Sequence, residues 1–217
     1  MKHISDSLHG DPPAEIRVPT RRALAKQQTR TKVLAAARRL FSESGYEGAT
    51  IRDIASAAGM STGAVFANFT DKADLFREIM ISDMESLADT MREAAAKART
   101  VDDAILRAFG AGYTLCKSQL PLARAAFSVF WSPEQGLELR TLPPVAALHD
   151  IIAEQLQLGV ERGELSQEAE VKLRTQMLFD AYLSNYPDAI FQGWSLEALQ
   201  AKSRDQIGVI LAGARRG

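Results

Sequence analysis

Residues 51–69, IRDIASAAGMSTGAVFANF, decide the fold. Ile51, Ile54, Ala55 and Ala58 fall at i, i+3, i+4 and i+7, one apolar helical face that lasts two turns before Gly59. Thr50 is a good N-cap for this helix, and Ser61 can cap the next one, to which Val65, Phe66 and Phe69 bring apolar contacts. Two short helices joined by a tight, glycine-centred turn form a helix-turn-helix, whose second helix enters the major groove of duplex DNA. The residue types agree with that geometry. Ala55 is small where the helices cross, Gly59 suits a left-handed turn position, Met60 plugs the corner and Val65 faces the core.

Upstream, Val33, Ala36, Ala37, Leu40 and Phe41 make one stripe of a helix that starts near Thr29 and meets a stop at Gly45. Downstream, Asp71 caps a long helix whose apolar positions Leu75, Ile79, Met80, Met84, Leu87 and Met91 run towards Ala98. Further helices are expected over 101–118, 121–131, 143–161, 167–186 and 195–213, separated by proline and glycine. Nowhere do β-branched or aromatic residues alternate cleanly with polar ones, so the expected fold is all-α. It divides into a flexible basic arm (1–26), a three-helix DNA-binding domain with the helix-turn-helix (27–72) and a helical C-terminal domain (73–217).

Charge follows the same division. Residues 1–16 hold one Lys/Arg against three Asp/Glu, residues 17–72 ten against four, and residues 73–217 fifteen against twenty. A basic block precedes an acidic one, the distribution of a polyanion-binding module joined to a module with other work. Hydrophobic residues at 46% and charged residues at 24% fit an ordinary globular chain of 217 residues, which buries roughly 70% of its extended surface. The longest apolar run, residues 33–37, is far short of the ~20 needed to span a bilayer, and the N-terminus lacks the apolar stretch of a secretory signal. No membrane association and a cytoplasmic location are therefore expected. One cysteine, Cys116, and three histidines give neither a disulfide nor a zinc spacing, so no metal site is expected. Catalytic motifs are absent as well: Gly110-Ala111-Gly112 is followed by Leu115 where a dinucleotide fingerprint needs its third glycine, and no nucleophile elbow or HExxH occurs. We expect no enzyme, no catalytic residues and no cofactor.

Residues 29–76 resemble the N-terminal DNA-binding domain of the TetR family of bacterial transcriptional regulators. The resemblance covers about 50 residues. Its markers are the Leu40-Phe41 pair, Gly45-Tyr46, Thr50, Asp53-Ile54-Ala55, Ala58-Gly59, Ser61, Gly63, Phe69 and Asp71-Lys72. It implies a homodimer on a palindromic operator and a C-terminal domain that binds a small-molecule effector and releases the DNA. The chain departs from the family at the recognition helix. Thr62, Gly63, Ala64, Val65, Phe66, Ala67 and Asn68 stand where the family commonly places lysine, glycine, threonine, a large apolar residue, tyrosine, a polar residue and histidine.

DNA contacts are expected from Ser61, Thr62, Gly63, Ala64, Phe66 and Asn68, with Ala64 able to meet a thymine methyl and Asn68 alternatively a left-handed helix C-cap. Phosphate contacts are expected from Thr50 and Arg52 at one helix N-terminus and Lys72 at another. Arg52 could instead pair with Asp53 or Glu47. Arg17, Arg21, Arg22 and Lys26 of the arm, chiefly Arg22 and Lys26, are placed to reach an adjacent minor groove.

In the C-terminal block, Leu196, Leu199, Ser203, Ile207 and Ile210 form a coiled-coil-like seam with Gly208 and Ala212 beside it. Residues 167–186 carry two stripes, Val171, Leu178 and Tyr182 on one and Leu173, Met177 and Ala181 on the other. A helix apolar on two sides needs two partners, so a symmetry mate on one side and the subunit interior on the other are expected, a homodimer through the C-terminal helices; the alternative is a monomeric bundle with a thick core. Met84, Leu87, Met91, Phe109, Tyr113, Phe127, Phe130, Trp131, Met177 and Tyr182 are the expected pocket lining, for an apolar or aromatic effector of unknown identity. His149, Tyr113 and Arg124 could orient it. The alternatives are a C-terminal domain that only dimerises, one that binds a protein partner, or a redox sensor at Cys116. The long fourth helix, running from Lys72 past the pocket, is the expected lever between effector and DNA.

Overall fold

Local capping signals start the N-terminal helices where they stand. In the computed structural model, which describes residues 20–132 and 141–215, Thr20 accepts a hydrogen bond from the Ala23 amide and opens α1 (Arg21–Gly48). The helix begins well before the expected start near Thr29, so Arg21, Arg22 and Lys26 ride on a helix and not on an arm. Arg17 lies outside the described residues. Gly45, at φ 74°, breaks α1 internally, a conformation that glycine adopts without steric cost. The turn beyond it folds Tyr46 back onto Phe41 and Phe76. These three rings sit 4.9–5.6 Å apart and join the end of α1 to α4 (Lys72–Ala95).

Between them lie α2 (Ile51–Ala57) and α3 (Thr62–Phe66), the pair expected from the sequence. Thr50, Ser61 and Asp71 each accept from the amide three residues on, satisfying donors that a helix start leaves orphaned. Gly59 has φ 68° in the turn. Val33, Ala37, Phe41, Ile54, Val65 and Leu75 are wholly buried and form the centre of this head. Burying each of the larger ones is worth roughly 1.5–3 kcal/mol.

The body is built from α5 (Val101–Ser118), α6 (Leu120–Phe130), α7 (Pro143–Glu161), α8 (Val171–Ser184), α9 (Tyr186–Ile190) and α10 (Leu196–Ala212). Apolar side chains line several sides of α5, which packs against α4, α6, α7, α9 and α10. An isolated bridge from Leu165 to Arg215, with the Ser166 amide donating to the Ala214 carbonyl, ties down the end of the described chain. The helix expected over 167–186 is two helices. Glu170 stands at φ 47° and α8 starts after it; α8 ends at Ser184, and Pro187 sits in the first turn of α9, where no backbone donor is required. The break is fixed by Asn185, wholly buried between them, whose side-chain amide donates to the Tyr113 hydroxyl and Gln206 Oε1.

Two packing results differ from the sequence expectation. On α10, Leu199, Ser203 and Ile207 are buried within the subunit, so the predicted seam faces inward; its outward face carries Val209, 78% exposed, beside Gly208 and Ala212. Packing also ignores a boundary at residue 72. From α4, Leu75, Phe76, Ile79 and Met80 belong to the head's apolar cluster, and Leu87, Ala88, Met91 and Ala95 to the body's. Helix α6 is divided lengthwise: Leu122, Ala125 and Val129 pack into the head, while Ala123 and Phe127 pack against the body.

Candidate nucleic-acid interface and ligand cavity

On α3 the sequence leaves few polar groups to meet DNA. Ser61 spends its hydroxyl on the Ala64 amide at 3.2 Å. Asn68 donates its side-chain amide to the Ala64 carbonyl at 2.9 Å, its Oδ1 is buried without a partner, and its backbone is not left-handed, so the expected C-cap conformation is not adopted. Thr62 and Gly63 are exposed, Ala64 is half-buried, and Phe66 is 55% exposed, unusual for a phenylalanine on a five-residue helix. Exposed α3 therefore offers one hydroxyl, one open backbone position and two apolar groups.

Around it the candidate phosphate contacts differ in their engagement. Thr50 is bonded to Asp53 through its hydroxyl and the Asp53 amide. Arg52 is exposed and has no ion-pair partner among the described residues, neither Asp53 nor Glu47. Arg22 and Lys26 are also exposed. Lys72 is only 24% exposed; its ammonium donates to the Tyr46 carbonyl at 2.9 Å, lies 4.4 Å from the centre of the Tyr46 ring and 3.9 Å from a Glu47 carboxylate oxygen. A carbonyl and a ring face thus offset the unfavourable position of a cation at the start of α4.

The sequence reading missed the residue that holds α3 in place. Arg30 on α1 donates to the Asn68 carbonyl at 2.6 Å, pairs with Glu78 on α4 and stacks 4.4 Å from the centre of the Phe69 ring. Eight positions along α1, Arg38 grips both carboxylate oxygens of Asp83, again on α4, with one contact at 2.9 Å. Alone in a sequence either arginine is an ordinary solvated cation, and nothing in the local spacing names the partner.

Between α4, α5, α6, α7 and α8 lies a cavity of about 140 Å³. Met84, Leu87, Phe127, Phe130, Trp131 and Tyr182, all expected, line it, as do Met80, Cys116, Phe179 and Tyr186. Met91, Phe109 and Tyr113 are not on its wall but fully buried in the body core. Met177 is 43% exposed on the outer side of α8 with Leu173, at 54%; helical phase turns them away from buried Leu178 and Tyr182. None of the three proposed orienting groups reaches the wall. His149 stacks on Phe179, its ring centre 3.8 Å away, with its pKa lowered by burial against a partial opposing pull from Asp180 and Asp150. Arg124 donates to the Ile190 carbonyl, and the Tyr113 hydroxyl donates to the Tyr182 carbonyl at 3.2 Å. The polar liners are instead Asp83, Gln119, Cys116 and the bonded Tyr182–Tyr186 hydroxyl pair, 2.6 Å apart. Asp83 was readable in principle: it falls on the Met80, Met84, Leu87 face at helical spacing. Burial pushes the Cys116 thiol up to about 11, leaving it protonated and a poor nucleophile at neutral pH. Among the described residues no cluster of His, Cys, Asp or Glu could hold a metal ion, and no helix is long and apolar enough to cross a membrane.

A capped helix-turn-helix with an exposed second helix, carried on a helical body that encloses an apolar cavity, defines a helix-turn-helix DNA-binding protein with a ligand-sized space. Residues 33–79 match bacterial regulatory proteins of the tetR family. The transcriptional repressor AcnR of Corynebacterium efficiens is 45% identical over 65 residues, 30% of this chain and 35% of AcnR, so the match spans about a third of that relative's length. The transcriptional regulator UidR of Escherichia coli K12 is 25% identical over 200 residues, 85% of this chain and 94% of UidR. The same fold occurs in the fatty acid degradation regulator FadR of Bacillus halodurans, at TM-score 0.72 and 20% identity over 87% of this chain and 97% of FadR. The Bacillus subtilis FadR solved with stearoyl-CoA superposes at TM-score 0.71 and 20% identity, covering 82% and 96%. The tetR-family match thus covers the helix-turn-helix head, residues 33–79 of the chain. Its relatives are regulators and not enzymes.

Proposed function

We propose that this protein is a cytoplasmic, effector-responsive transcriptional regulator that binds a palindromic duplex as a homodimer and represses by blocking access to it. In this reading α1–α3 form the DNA-binding domain, and the body beyond residue 72 holds the effector site and the dimer surface. Thr62 and the Gly63 backbone meet base edges, Ala64 and Phe66 offer apolar contact to thymine methyls, and Thr50, Arg52, Lys72, Arg22 and Lys26 serve the phosphates. Ser61 and Asn68 act by holding α3, since their side chains are already bonded to it.

The observation that carries the proposal is the sharing of walls. Helices α4 and α6 both line the cavity and build the head's core, and Met80 and Leu122 belong to the two at once, so a ligand that moves either helix must move the head. The lever is thus a pair of helices and not α4 alone, and the effector would bind one arrangement better than the other. The outward Leu173 and Met177 of α8 with Val209 of α10 supply the apolar surface for a two-fold partner. A redox switch at Cys116 is disfavoured by its burial and raised pKa.

Selection of duplexes from a random pool, with sedimentation of the purified chain, tests the proposal. We expect inverted half-sites about one helical turn apart and a dimer. A monomer, or a chain that retains no duplex at low ionic strength, would sink it.

A further inference from the structure

Asp83 is the one charged side chain among the described residues that line the cavity. It shares an α4 face with Met80, Met84 and Leu87, and its carboxylate is occupied on both oxygens by Arg38 from the DNA-binding head. Phe127 and Phe130 of α6 and Trp131 just past it also line the cavity. Aromatic faces attract cations and repel anions, and the half-buried Asp83 carboxylate adds to the same sign of potential. A neutral hydrocarbon would fill the space without using Asp83; an anion would find no cation among the described lining residues.

Resting on the reading of this cavity as the effector site, we propose that its effector is a lipophilic cation, an aromatic or branched-alkyl ammonium, recognised by Asp83 in competition with Arg38. Regulation follows from that competition. A ligand ammonium at Asp83 releases Arg38 and removes one of the ion pairs that fasten α1 to α4. Another, Arg30–Glu78, belongs to the same seam, and Arg30 also holds the carbonyl of Asn68 just past α3. The loosened seam is the route by which ligand charge reaches the recognition helix.

The test is a calorimetric titration of the full chain, without DNA, with benzyltrimethylammonium, its uncharged isostere neopentylbenzene and the anion benzylsulfonate. The ammonium should bind at least tenfold tighter than either. Asp83→Asn should abolish that preference and leave hydrocarbon binding unchanged, whereas Arg38→Gln, which removes the competitor, should tighten the ammonium severalfold. A merely structural ion pair would not give opposite effects from its two ends. The proposal is overturned if folded protein binds none of the three, if ammonium and hydrocarbon bind equally, if the preference survives Asp83→Asn, or if Arg38→Gln weakens it. Because no DNA is present, such a failure leaves the regulator reading standing; an intact ammonium preference in a chain that ignores duplex DNA would fell that reading alone.

Discussion

Head and body are both helical, but their helices begin for different reasons. In the head, α1, α2, α3 and α4 each start at a threonine, serine or aspartate whose side chain accepts an amide hydrogen bond three residues on. Among the described body helices only α5 and α10 do so, at Thr100 and Ser195; α6, α7 and α9 have a proline in their first two positions and no side-chain cap, and α8 follows a left-handed Glu170. Head boundaries are therefore written locally, while several body boundaries are imposed by what the chain packs against. The contrast teaches that local hydrogen bonds fix where the head's helices begin, whereas the uncapped body helices can shift their starts at lower local cost.

The hardest way to break the comparison is Phe41→Ala. Phe41 is wholly buried against Tyr46 and Phe76, and its loss should cost ~3–5 kcal/mol. Urea unfolding followed by circular dichroism should show one transition shifted as a whole, because α4 and α6 belong to both cores; a separate early transition would mean that head and body unfold independently. Next comes the body. A Cβ on Gly112 would lie 2.0 Å from the buried Tyr182 hydroxyl, so Gly112→Ala should cost ~1–3 kcal/mol in the same measurement and, by displacing Tyr182, reshape the cavity wall.

Ser61→Ala removes the α3 cap and should cost about 1 kcal/mol, expressed as faster amide exchange in residues 62–66 with the body's protection unchanged. The mildest perturbation is alkaline. Burial lifts the Cys116 thiol from 9.0 to about 11 and the Tyr113 hydroxyl from 10.0 to about 12. Unfolded chain releases these protons at lower pH than folded chain does, so their contribution is complete below pH 9 and is lost as pH rises from there towards 12. Thermal melts should be flat in this respect up to pH 9 and fall above it, and Cys116→Ala should delay the onset of the fall to about pH 10, where the buried tyrosines take over.

Legibility followed the same contrast. The helix-turn-helix was readable because caps, the turn glycine and a two-turn apolar face are signals within a few residues of one another. The start of α1 was missed because its first turns are polar and exposed, with Thr20 the single local mark. On the body, the two stripes of α8 were readable as two-sidedness, and the structure turns Leu178 and Tyr182 inward and Leu173 and Met177 outward. For α10 the same kind of pattern misled: Leu199, Ser203 and Ile207 at regular spacing would suit an intersubunit seam or a subunit core, and periodicity does not distinguish them. Among aromatics and methionines the sequence found the right neighbourhood, but whether a side chain borders the cavity or fills the core beside it depends on helix rotation by a fraction of a turn. Met91 and Leu87, four residues apart, fall on opposite sides of that distinction.

By itself the sequence determined an all-α chain with a basic, capped helix-turn-helix head and an acidic, apolar-rich body, because charge, capping and period are properties of neighbouring residues. Only the tertiary structure decided that Arg30 and Arg38 clamp α1 onto α4, that α6 serves two cores, and that Asp83 is the charge on the cavity wall. Those pairings join residues 45 and more positions apart, and their energy arises only when helices bring opposite charges out of water together.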